Sequence, residues 1–104
     1  MFIERAFTFI PGMGCLVDVW NKMSKQHTMA TFGSLITKDQ VASYKAGSLA
    51  WDAFPDLNKA EREFIVSGMT QLQQTDFFGI AHIDDVMRPR QHVLVWKSNR
   101  WALR

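Results

Sequence analysis

The chain has one cysteine, Cys15, which excludes an internal disulfide and a cysteine-based zinc site. That scarcity fits a reducing compartment. No apolar run approaches the roughly 20 residues that a membrane span needs. The start, Met1-Phe2-Ile3-Glu4-Arg5, lacks the basic region and unbroken apolar run of a signal peptide. Together these features give the expectation of a cytoplasmic protein with no membrane contact. The glycine-rich Pro11-Gly12-Met13-Gly14 has neither of the two common phosphate-loop spacings, and reads as a plain turn. A net charge of +2 is too small to name a partner.

What is present describes a folded chain. Its 47% apolar and 21% charged residues exclude wholesale disorder, and 104 residues suit a single domain, 1–104, around one core. The charges are unevenly spread. Acids outnumber bases between Ile36 and Gly79, whereas every charged residue after Asp85 is basic.

The most legible stretch is 36–79. Thr37–Gln40, Asn58–Glu61 and Thr70–Gln73 each match the capping box, and the segments they open close on Gly47, Gly68 and Gly79. The first side chain of each pair can accept from a first-turn amide, and the second can reach back to the cap's own N–H. Glycine suits the following stop because it enters the left-handed region without a Cβ clash. The spacing predicts helices over 38–46, 59–67 and 71–78. A short helix over 49–54 is expected to be capped by Ser48 and stopped by Pro55. Helices this short are marginal alone and must bury their apolar groups against one another. Those groups are Val41 and Tyr44; Leu49, Trp51, Ala53 and Phe54; Ala60, Phe64 and Ile65; and Leu72, Phe77 and Phe78. Glu61, Arg62 and Glu63 read as a solvated face.

Around this unit lie extended segments. Phe2–Ile10 and Cys15–Trp20 read as a β-hairpin within 1–20, with a four-residue connection. Asn21–Ser34 is polar and weakly patterned, and reads as a loop, a short helix or an adaptable surface, with Met23 and Met29 filling gaps. His92–Lys97 is a strand candidate, Ser98-Asn99 a turn, and Arg100–Arg104 a further short strand. With the C-terminal strand paired to the N-terminal hairpin, the expected fold is α+β, short capped helices packed on a small antiparallel sheet.

The residues Ile36, Thr37, Gln40, Ala46, Gly47, Phe54, Pro55, Leu57, Glu61 to Ile65, Ser67, Gly68 and Thr70 form a pattern. It resembles small uncharacterised proteins of phages, prophages and mobile elements. The resemblance covers well under half of the chain, and implies a shared helical fold and a phage-like origin, hence a host-cell cytoplasm. It carries over no catalytic residue.

Chemistry-bearing groups are sparse. His82, Asp84 and Asp85, with His27 and His92, resemble a metal site only in residue type, since no spacing fixes a third ligand, and no metal or cofactor is expected. Cys15 sits in an apolar run and reads as a buried small hydrophobe rather than a nucleophile. Glu61 and Glu63 point apart on a helix and make no acid–base pair, so no enzyme is expected. The best functional candidates are in the basic strand segment 88–104: Arg88, Arg90, Trp96, Lys97, Arg100, Trp101 and Arg104. Arginine and tryptophan are enriched at protein interfaces, and the same types contact phosphates and stack on bases. The reading is a non-enzymatic protein that binds and modulates a host or viral protein. A nucleic-acid-binding accessory protein and a self-associating virion component are the alternatives.

Overall fold

Alternation along one strand sets the architecture. In Gly14–Asn21, residues Cys15, Val17, Val19 and Asn21 are buried, and Leu16, Asp18 and Trp20 between them are half-buried. Successive strand side chains point to opposite faces, so among the described residues one face is buried more deeply than the other. The computed structural model describes residues 5–79, 86–97 and 100–103, with the side chains of 5–79 and 86–91. Its strands are β1 (Arg5–Ile10), β2 (Gly14–Asn21), β3 (Gln26–Gly33), β4 (Gln91–Lys97) and β5 (Arg100–Leu103). They form one sheet in the order β1-β2-β3-β4-β5, with each neighbouring pair antiparallel. Between β3 and β4 come the helices α1 (Lys38–Lys45), α2 (Ala50–Ala53), α3 (Lys59–Ser67) and α4 (Gln71–Phe78). The fold is α+β, as the patterning implies.

The helices gather on one face of the sheet. Val41, Ala50, Ala53, Phe54, Ala60, Phe64 and Ile65 share a core with Cys15, Val17, Val19, Ala30 and Phe32. Phe64 meets the ring of Phe32 at 5.9 Å, and Phe54 lies 6.0 Å from Phe7 and 5.4 Å from Tyr44. All three capping boxes form, with both reciprocal hydrogen bonds in each. Arg5 stops α3 from the far side: its guanidinium donates to the carbonyls of Ile65 at 2.6 Å and Val66 at 2.7 Å. A cation there answers the partial negative charge of a helix C-terminus.

Two glycines let the layers close. Gly14 has φ +84°, and a Cβ on it would lie 2.5 Å from the backbone of Gly33. The β2–β3 register shifts at this place, between Cys15 and Leu16, as a bulge. Gly68 ends α3 in the left-handed region, where a Cβ would meet Val19 at 3.2 Å.

Several sequence expectations are corrected. Gln26–Gly33 is a strand, not a loop, and β4 pairs with it rather than with the N-terminal hairpin. The small or polar Thr28 and Ala30 face inward beside Phe32, which hides the apolar alternation. The hairpin connection is Pro11–Met13, one residue shorter than expected. Ser48 does not cap α2; its hydroxyl lies 2.9 Å from that of Ser43. Glu61 is fully buried, not solvated. Leu72 and Phe77 of α4, and Leu49 and Trp51 beside and on α2, are exposed rather than packed inward.

Candidate functional site

Glu61 illustrates how this chain uses charge. Its position in the α3 capping box points the carboxylate toward Asn58, whose N–H donates to it at 3.0 Å. The chain returns past the same spot after α4. There the Arg88 amide donates to Glu61 Oε2 at 3.0 Å, and the guanidinium donates at 2.9 Å to Oε2 and 2.6 Å to Oε1. A further guanidinium bond reaches the Asp56 carbonyl at 3.0 Å. Burial pushes the Glu61 carboxyl up, but the hydrogen bonds from Arg88 and Asn58 and the Arg88 charge outweigh it, holding the carboxyl below its ordinary 4.5. Arg88 is raised in turn, first by its hydrogen bond to Glu61. This bidentate pair joins the segment before β4 to the start of α3, which is a structural task.

The other sequence-predicted site residues fall differently. Arg90 is exposed beside the buried Pro89. The backbones of Trp96, Lys97, Arg100 and Trp101 lie in the β4–β5 ladder, with Trp96 opposite Trp101 and Lys97 opposite Arg100. Arg104 lies outside the described residues. So do His82, Asp84 and Asp85, and the side chain of His92 is likewise not described. Among the described residues no three His, Cys, Asp or Glu side chains converge as metal ligands. Cys15 is fully buried, and burial pushes its thiol up to about 11, far from a reactive thiolate. No helix among the described residues is long and apolar enough to cross a membrane.

The surface between α2 and α3 is the most distinctive exposed site with described side chains. Leu49, Trp51 and Val66 are 68%, 59% and 50% exposed, on a molecule whose core has other large apolar groups fully enclosed. With Ala50, Lys59, Arg62 and Glu63 they line an open cavity of about 430 Å³. The Arg62 guanidinium sits 4.8 Å from the centre of the Trp51 ring and donates to the Phe54 carbonyl at 3.4 Å. A cation over an indole face holds the ring in place at about 0.5–1 kcal/mol for an exposed pair. The ring is therefore pre-oriented while half its surface remains in water. The sequence places Trp51 among the inward groups of this segment, but the ring is exposed, because α2 is only one turn long and can bury just one side of it.

A second apolar surface is the sheet face away from the helices. Trp20 and His27 are direct partners on β2 and β3, their rings 4.9 Å apart and edge-on. The His27 Nδ1–H donates to Asp18 at 3.0 Å. Leu16 and Met29 lie on the same face, and both are half-buried. Register extends the Trp20–His27 row to Leu94 and Leu103 on the outer strands.

No protein-family model, curated protein or solved structure matches the chain.

Proposed function

We propose that this is a non-enzymatic binding protein of phage or mobile-element type, which attaches to a host or viral protein and modulates it. The observation that carries the reading is Trp51, 59% exposed and clamped by Arg62 between Leu49 and Val66. Rigid aromatic anchors beside arginine are what alanine scanning finds at the centres of interfaces, each worth at least about 2 kcal/mol. A ring biased toward one orientation by Arg62 loses less freedom when a partner covers it. The phage-like pattern over 36–79 supports the origin, and its residues Glu61 to Ile65 and Ser67 lie on α3, which lines the Trp51 surface. Of the basic segment, Arg88 is taken up by Glu61, which leaves less of it for a phosphate backbone.

The test is affinity capture from a host lysate with the intact chain and with Trp51→Ala, both first shown to be equally folded. A specific partner held by the intact chain and at least 30-fold more weakly by the variant, about 2 kcal/mol, supports the reading. Recovery of the same proteins by both would sink it. Nucleic acid recovered instead, and released steeply by salt, would favour an accessory role on DNA or RNA.

A further inference from the structure

The two faces of the sheet are both substantially apolar, yet the described helices cover only one. On the uncovered face, β1 to β3 contribute Ala6, Ile10, Leu16, Trp20 and Met29, with Thr8, Thr31, Asp18 and His27 among them. Register then aligns the β4 and β5 backbones so that Leu94 and Leu103 continue the Trp20–His27 row, and Trp96 pairs with Trp101 in the row two residues on. Three of the four tryptophans of the chain therefore fall at positions of this face. In an antiparallel sheet with one wet face those positions are normally polar.

We infer that this face packs against the same face of a second copy of the chain, sheet on sheet, as an isologous dimer. The charge pattern selects a second copy over a charged partner. The only carboxylate on the described part of the face, Asp18, already accepts a hydrogen bond from His27, so little charge is offered to an acidic or basic surface. A two-fold axis can therefore oppose the faces without stacking unpaired like charges, and apolar rows meet apolar rows. Area agrees. Strands about 4.8 Å apart and about 14–27 Å long give five strands a plan of about 500 Å² per copy. Full overlap of two copies would bury about 1,000 Å², the least a biological interface needs, and the side-chain relief adds to this. Two sheets packed at about 10 Å would enclose the half-buried Leu16, Trp20 and Met29 as a second core. The Trp51 surface is on the helical layer and stays free, so this dimer and the proposed partner do not compete.

The test is sedimentation equilibrium of the full chain from about 1 μM to 1 mM, a span that brackets weak and tight homodimers. It is repeated for Leu16→Glu with Met29→Glu, for Thr31→Arg alone, and for Trp51→Ala. The expected result is a monomer–dimer equilibrium in the intact chain and in Trp51→Ala. Dissociation should be at least tenfold weaker-bound in Thr31→Arg, with no dimer in the double variant. Should the double variant fail to fold by circular dichroism, Thr31→Arg decides alone, because it removes no apolar group. A monomer throughout the range, or a dimer unchanged by Thr31→Arg in folded protein, would overturn the inference.

Discussion

Helices α3 and α4 begin alike and end alike, yet they have opposite fates. Each opens with a complete capping box, and each closes at a glycine with positive φ. Helix α3 buries Ala60, Glu61, Phe64 and Ile65, whereas α4 buries only Gln74 and leaves Leu72 and Phe77 in water. What α4 does have inside is polar and bonded through its amide nitrogen: Gln74 Nε2 donates to the carbonyls of Ala60 at 2.9 Å and Met69 at 3.0 Å. Its first residue, Gln71, accepts from the Met87 amide at 2.7 Å. The lesson is that capping signals say where a helix lies, and only the spacing of apolar groups says whether it belongs to the core. One helix is held by its apolar face, the other by hydrogen bonds from its cap, its first residue and its buried Gln74.

That contrast can be broken by substitution. Phe64→Ala removes a fully enclosed ring that meets Phe32, and should cost about 3–5 kcal/mol in urea unfolding, enough to unfold much of the population. Phe77→Ala, on the exposed side of α4, should stay within about 0.5 kcal/mol. Equal losses from the two would erase the distinction.

Next in size is the Glu61–Arg88 pair. Arg88→Ala leaves a buried carboxylate without its cation, for which about 2–4 kcal/mol is expected. This is below the figure for a wholly buried pair because the Arg88 side chain is 51% exposed and water can enter. The same pair fixes a pH dependence. The Glu61 carboxyl lies below 4.5 in the folded state, so its contribution is fully present above that unfolded value. It is then lost as pH falls through the folded value. Urea midpoints should therefore hold from pH 7 to about 5 and drop below about 4.5, with a shallower drop in Glu61→Gln. An equally steep drop in that variant would assign the acid sensitivity to other carboxylates.

The caps should give smaller effects than the enclosed ring or the Glu61–Arg88 pair. Thr37→Ala and Thr70→Ala each remove one side-chain acceptor at 3.2 Å from its amide, at a cost of about 1 kcal/mol. Thermal melts of the two variants measure this directly. If Thr70→Ala costs markedly more than Thr37→Ala, α4 depends on its end bonds in the way the contrast claims.

The sequence made the helical unit legible because capping is local: Thr37, Asn58 and Thr70 act on residues three places away, and no distant contact is needed. The inward set Phe64 and Ile65 was legible for the same reason, since helical period and burial agree there. Strand β3 was not legible, because its inward residues are Thr28, Ala30 and Phe32, and only the sheet gives the first two a reason to be buried. Glu61 was misread since nothing local announces that Arg88, 27 residues later, returns to enclose it. The exposed Trp51 surface could have been suspected from the brevity of α2, which has no second turn to bury it. The uncovered face of the sheet needed the register, as Trp20, Leu94 and Leu103 align only once β3 stands between β2 and β4.

One face of the sheet packs against the described helices, and the other carries the inferred contact. Hydroxyl-radical footprinting of dilute protein, resolved residue by residue along β2, tests this division most directly. Alternation is expected, with Leu16 and Trp20 labelled while Val17 and Val19 are protected, and Trp51 labelled most strongly of these. Uniform protection along β2 would rule out an accessible second face, because some other part of the molecule would then cover it.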